Sequence, residues 1–266
     1  MKNADLEKPV FIVGVPRSGT TMLWSILLRH PEFKGEKMIP SWNSETSIFH
    51  KFPKILEDFF TPGKWPFWNE YFVADRKRFD SWLVDCVRDF IIKATEARKA
   101  KRPLEKTPNH LENIDLIERA FPQAKIIHIV RHPLDVFASM RRRSFVTAPR
   151  FDPWLKVTAE QFAQDYERKI VKVDHYRGSL KIFTVRYEDL TNDAEVYIAQ
   201  ICKFLKTILD ISIIYGEKPL RKIHKFPFQS HIPVINSNTQ RNIVSEKEES
   251  IIIEVTKKTR EAHSYE

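Results

Sequence analysis

The stretch Val10-Phe11-Ile12-Val13-Gly14-Val15-Pro16-Arg17-Ser18-Gly19-Thr20-Thr21 constrains the fold of this chain more than any other. Four consecutive apolar residues, three of them β-branched, suit a strand covered on both faces, as strands of a parallel sheet are. Gly14 and Gly19 permit a tight turn. Met22, Leu23, Ile26 and Leu27 then recur at helical spacing until Arg29-His30-Pro31, where proline cannot continue a helix. A strand that passes through such a turn into a helix presents unpaired N–H groups and the positive end of the macrodipole to whatever lies in the turn. Ser18, Thr20 and Thr21 add hydroxyls and Arg17 adds a guanidinium, so the stretch is a half-site for an anion.

The same alternation continues downstream. Pro103-Leu104-Glu105 reads as a short strand, Lys125 to Val130 as the second clear one, and Leu180 to Tyr187 as a third. Helices are expected from Ser81 to about Ala100, from just after His110 to Phe121, from Pro133 onward, from Thr158 to Tyr176 and from Thr191 to about Lys206. Ser245-Glu246-Lys247-Glu248 is a capping box that opens the last one. Strands alternating with helices imply an α/β fold, P-loop-like, with three layers (α/β/α) around a central parallel sheet and ligands at the carboxyl ends of the strands. At 266 residues, with no Pro/Gly/Ser-rich linker, residues 1–266 are expected to form a single domain.

Composition narrows the setting. No apolar run approaches the roughly 18 residues of a membrane span, and the first residues carry no signal-peptide pattern, so a cytoplasmic protein without stable membrane insertion is expected. Two cysteines, Cys86 and Cys202, are too few for a disulfide framework or a zinc site, and both fall in helical patterns where buried free thiols are expected. The net charge of +9 predicts an anionic partner without choosing its class. Residues Trp42 to Phe72 carry a dense aromatic set, readable as core under long loops or as a substrate pocket.

Gly14 and Gly19 have the spacing of a Walker A loop, yet Thr20 stands where that motif has lysine. The strand ending Ile129-Val130-Arg131 offers a cation where a Mg²⁺ site wants a carboxylate. Both departures suit an anion held without metal.

Pro16-Arg17-Ser18-Gly19-Thr20-Thr21 resembles the 5′-phosphosulfate-binding loop of the sulfotransferase family, whose donor is 3′-phosphoadenosine 5′-phosphosulfate (PAPS). Arginine at the second position is similar to the Golgi-type and many bacterial members. Ile127-His128-Ile129-Val130-Arg131-His132-Pro133-Leu134-Asp135-Val136-Phe137-Ala138-Ser139 resembles the family's 3′-phosphate-binding segment, which implies that Arg131 and Ser139 hold the donor's 3′-phosphate. Two cationic strand ends for two separated phosphates agree with that implication.

Sulfuryl transfer needs fixed cations for the leaving nucleotide and a base for the acceptor. Ser44-Glu45-Thr46-Ser47-Ile48-Phe49 is similar to the Glu-Thr segment of tyrosylprotein sulfotransferases and to the corresponding glutamate of heparan sulfate sulfotransferases, which implies Glu45 as general base. Glu105-Lys106-Thr107-Pro108-Asn109-His110 resembles the family's lysine segment, so Lys106 is implied to contact the transferring sulfuryl group alongside Arg17. His110 competes with Glu45, because cytosolic members use a histidine shortly after that lysine and imidazole has the better intrinsic pKa. The arginine loop favours Glu45.

Phe183-Thr184-Val185-Arg186-Tyr187-Glu188-Asp189-Leu190 resembles the family's Tyr-Glu-Asp segment, with Tyr187 either lining the adenine site or buried for structure. Ser237-Asn238-Thr239-Gln240-Arg241-Asn242 is similar to the loop that covers the 3′-phosphate in bacterial members, although the tryptophan common after it is missing. The run Arg141-Arg142-Arg143 either steers the anionic donor or forms a solvated helix end. The resemblance implies a PAPS-dependent, metal-independent sulfotransferase whose acceptor is a small molecule, lipid or glycan rather than nucleic acid. A Walker-type nucleotide kinase or NTPase, and a non-catalytic nucleotide- or polyanion-binding protein, are the alternatives.

Overall fold

Four parallel strands carry the molecule: β1 (Val10–Val13), β2 (Leu104–Lys106), β3 (Lys125–Val130) and β4 (Ile182–Arg186), in the order β2-β1-β3-β4. They belong to a computed structural model, which describes residues 4–36, 45–49, 51, 54, 57–58, 61, 76–146, 157–176, 181–210 and 241–266. All four residues of β1 are fully buried, as a strand covered on both faces requires. Side chains alternate between two cores. Val10 and Ile12, with Ile127 and Ile129 of β3, join the cluster that contains Leu23, Leu27, Ile198 and Ile201. Phe11 and Val13, with Ile126 and Val130, join the larger cluster on the other face, with Ile91, Ile117, Phe137 and Tyr166.

Helices α1 (Thr20–Leu27) and α7 (Ala194–Leu205) supply the first core. Helices α2 (Arg76–Ala97), α3 (Ile114–Ala120), α4 (Pro133–Val146), α5 (Ala159–Asp174) and α8 (Glu246–Val255) supply the second. The layers are therefore α/β/α, as expected. Two further short helices are α6 (Tyr187–Asn192), which follows β4 directly, and α9 (Lys257–Ala262). Three caps fix helix starts: reciprocal capping boxes at Thr158 for α5 and at Ser245 for α8, and the Asp193 carboxylate for α7. Among the described residues, no helix is long and apolar enough to cross a membrane.

Several sequence expectations shift: the strand expected through Tyr187 ends at Arg186, and the helix expected from Thr191 starts at Ala194. Helix α2 begins at Arg76 rather than Ser81 because buried Phe79 extends the apolar stripe of Val84, Val87 and Ile91 by one turn. It ends at Ala97, before Lys99 adopts a left-handed φ of 56°. Cys202 is buried but Cys86 is exposed, since it lies on the outer face of α2, four residues from each of the exposed Trp82 and Phe90. The aromatic stretch from Trp42 to Phe72 falls mostly outside the described residues; Phe49 of that set is core, packed edge-on against Phe11 with ring centroids 5.7 Å apart.

Candidate active site

Strand β1 has β2 on one side and β3 on the other, so the connections leaving β1 and β3 diverge and leave a crevice at their carboxyl ends. Both phosphate motifs lie there. In the β1–α1 turn, a Cβ at Gly14 would sit 2.5 Å from the Ile129 carbonyl oxygen, so only glycine lets the loop pass this close to β3. Arg17 takes φ 80° and Gly19 φ 100°, two left-handed residues flanking Ser18, whose N–H donates to the Val15 carbonyl at 3.0 Å. Strain at a non-glycine residue of this kind persists only where the surroundings fix it. No side chain caps α1, which leaves its first N–H groups directed at the turn. Ser18 Oγ is fully buried and has no hydrogen-bond partner among the described residues.

The second motif closes on the first. Arg131 leaves β3 and donates from Nη1 to the Arg17 carbonyl at 3.1 Å, while Arg17 Nε donates to Ser139 Oγ of α4 at 3.1 Å. Arg131 also lies over the Tyr187 ring, 4.3 Å from its centroid, and Tyr187 in turn packs where a side chain on Gly19 would go. Burial, with the neighbouring charges of Arg143 and Arg131, pushes the Arg17 guanidinium down to about 10. Like charges gathered in a desolvated pocket are stabilised by an anion between them. The loop, the uncapped helix and the orphaned Ser18 hydroxyl fit a phosphate or sulfuryl group. Among the described residues no cluster of three or more His, Cys, Asp or Glu is placed to hold a metal ion.

The third part forms at the end of β2. Lys106 is fully buried, and its Nζ donates to Glu45 Oε1 at 2.5 Å, so residues 61 apart in sequence meet in one ion pair. Glu105 points to the opposite face and is also buried. It accepts from the Thr46 N–H (3.1 Å), the Thr46 hydroxyl (3.2 Å) and the Thr107 hydroxyl (2.6 Å). His110 Nδ1–H donates to its second oxygen at 3.1 Å. The His110 ring is fully buried and packs edge-on against Phe49 and Phe11, at 5.3 and 6.4 Å between centroids. Glu45 keeps about a third of its side chain exposed, at 31%. Of the two candidate bases, therefore, Glu45 borders solvent beside Lys106, and His110 is packed into the core beneath it. Glu105, which ties the Glu45 loop to β2, has no signal in the sequence beyond its place before Lys106.

Two sequence-predicted residues have partners that sequence reasoning missed. Arg241 donates from Nε and Nη2 to both oxygens of Asp135, at 2.9 and 3.1 Å, a fork that holds the C-terminal segment to the first turn of α4. Arg141 pairs with Glu248 of α8 at 2.6 Å, so it acts as a tie between helices, whereas Arg143 reaches Arg17 electrostatically. His132, beside Arg131, accepts the Leu134 N–H at Nδ1 and donates from Nε2 to the Glu266 carbonyl. Burial and the Arg241 charge push it down to about 4, so its ring is neutral.

The chain is 24% identical over 246 residues to omega-hydroxy-beta-dihydromenaquinone-9 sulfotransferase Stf3 of Mycobacterium bovis, covering 75% of this chain and 63% of that enzyme. Across the curated relatives it matches, the chain spans from a quarter to about two thirds of their length. The sulfotransferase domain of the Synechococcus PCC 7002 olefin synthase superposes with a TM-score of 0.59 at 21% identity, covering 100% of this chain and 98% of the domain. Mouse sulfotransferase SULT7A1 complexed with PAP superposes with a TM-score of 0.53 at 16% identity, covering 96% and 84%. These likenesses are of fold. The model of the sulfotransferase family matches residues 9–210, and the chain belongs to that family.

Proposed function

We propose that the protein transfers the sulfuryl group of PAPS to a hydroxyl or amine of a small-molecule, lipid or glycan acceptor, without a metal. The observation that carries this reading is the convergence of Arg17, Arg131 and Ser139 on one crevice, ahead of an uncapped helix. A donor with two separated phosphates needs two cationic strand ends, and β1 and β3 supply them side by side. Mouse SULT7A1, which shares the fold, is complexed with PAP, the donor product.

PAPS supplies the sulfuryl group and leaves as adenosine 3′,5′-bisphosphate. The S–O bond to its 5′-phosphate breaks as the bond from sulfur to the acceptor oxygen or nitrogen forms. Residues 16–21 hold the 5′-phosphosulfate, Arg131 and Ser139 the 3′-phosphate, with Tyr187 beneath Arg131 and Arg241 at the rim. Lys106 and Arg17 offset the charge that grows on the transferring group and the leaving oxygen. Glu45 takes the acceptor proton, and its exposure beside the buried Lys106 supports that role over His110.

Calorimetric titration tests the reading. Adenosine 3′,5′-bisphosphate should bind more tightly than ADP, with or without Mg²⁺, and Arg131→Ala should abolish the preference. Binding no tighter than ADP, or tighter ATP binding that depends on Mg²⁺, overturns it in favour of a nucleotide kinase or NTPase.

A further inference from the structure

Strands β3 and β4 stop pairing at Val130 and Arg186, the last register pair of their ladder. The residue after each strand belongs to the proposed site: Arg131 follows β3 and Tyr187, the first residue of α6, follows β4, with the guanidinium stacked on the ring. Past the last ladder pair the two chains part, one into α6 at Tyr187 and the other into α4 at Pro133. One residue further on, a side chain takes over. Glu188 Oε1 accepts the backbone N–H of His132 at 2.9 Å, a cross-strand bond that spans the Arg131–Tyr187 stack. Glu188 Oε2 accepts the Tyr265 hydroxyl at 2.8 Å, and the Tyr265 ring packs edge-on to His132 and beneath Arg186. The Arg131 carbonyl is held from the other side by the Tyr166 hydroxyl at 2.6 Å.

We propose that Glu188 is a positioning residue for recognition of the donor's 3′-phosphate: its carboxylate extends the β3–β4 ladder past its end and so fixes Arg131 over Tyr187. Three features carry this. The carboxylate makes its two bonds with opposite oxygens, which sets its orientation. Its partners, His132 and Tyr265, come from distant parts of the chain. The backbone it holds is the peptide that follows the phosphate-binding arginine. A carboxylate bonded to an N–H is worth more than a neutral acceptor, and an arginine displaced by about 1 Å loses the fork geometry that distinguishes a phosphate. Glu188 itself touches neither phosphate in this account. Its effect passes through Arg131, so it rests on the assignment of Arg131 to the 3′-phosphate under Proposed function.

The test compares adenosine 3′,5′-bisphosphate with 5′-AMP, which differ by the 3′-phosphate alone, in competition binding to the full chain. Glu188→Ala should weaken the bisphosphate by about tenfold, the cost of one hydrogen bond to a charged group. It should leave 5′-AMP within about twofold, so the preference between the two falls by nearly the same factor. Tyr265→Phe, which removes one of the carboxylate's two partners, should lower the preference by a smaller factor. Should the alanine variant fail to fold, Glu188→Met, which fills a similar volume without an acceptor for the His132 N–H, carries the comparison. An unchanged preference in the folded Glu188 variant refutes the positioning role, as does equal weakening of both nucleotides, which marks general damage to the site. A wild-type protein with no preference for the bisphosphate refutes the assignment of Arg131 instead, so the two failures are distinguishable.

Discussion

Acid should destabilise this protein through one histidine beside Arg131. His132 is pushed from its ordinary 6.5 down to about 4, first by burial and then by the Arg241 charge, with Arg260 adding to it and Asp135 and the Glu266 carbonyl opposing. Its Nδ1 accepts the Leu134 N–H, a bond that protonation destroys, which would leave an orphan donor in the first turn of α4. Because the folded state releases its proton more readily than the unfolded chain, the unfolded chain binds more protons between pH 6.5 and 4. Stability from this group is complete above about 6.5, falls as the pH drops through that window and levels off below about 4. The displacement, 6.5 minus about 4, is about 2.5 pH units; at about 1.4 kcal/mol per unit the ceiling is on the order of 3 kcal/mol. Urea unfolding of the wild type and of His132→Asn at half-unit steps from pH 7.5 to 4 isolates the effect. Asparagine offers an acceptor for the Leu134 N–H but does not titrate. The wild type should lose stability relative to the variant by about 1 kcal/mol per pH unit below 6.5. Parallel curves for the two proteins would show that His132 is not held neutral, and the reasoning about its surroundings would fail.

Two further substitutions probe the crevice. Gly19→Ala places a Cβ 2.4 Å from Tyr187 Cδ2 at a left-handed φ of 100°; it should cost about 1–3 kcal/mol and weaken adenosine 3′,5′-bisphosphate, because Tyr187 carries Arg131. Wild-type unfolding and affinity in that variant would contradict the close approach. Arg241→Gln leaves Asp135, 1% exposed, without its fork; urea unfolding should show a loss of about 2–3 kcal/mol, less whatever the α4 N-terminus returns, and pairing it with Asp135→Asn should restore part of that. A double variant no more stable than the single would show that the pair is not the source of the loss.

The sequence by itself determined the parallel sheet, the bounds of β1 and β3, and the family. Val10 to Val13 is apolar at every position, as a strand covered on both faces is, and the glycine turn after it into a helix suits an anion. Arg131 was legible for a similar reason: a cation directly after a buried strand must sit at the strand's carboxyl end. Alternation along β1, with Phe11 facing one core and Ile12 the other, follows from the pleat alone.

Tertiary structure decided what each polar residue near those ends is bound to. Resemblance favours Glu45 over His110 as base, but it does not show their surroundings: Glu105 and Lys106 project to opposite faces of β2, one holding His110 in the core and the other meeting Glu45 near solvent. Arg241 gives no sign of Asp135, 106 residues away, nor Glu188 of His132, 56 residues away. Cys86 was misplaced because helical periodicity locates a stripe but not its outer edge. Local pattern fixes direction and period, which are backbone properties. Partnership between charges depends on which loops the strand order brings together, and here that order places β1 beside β3 so that Arg17 and Arg131 share one crevice.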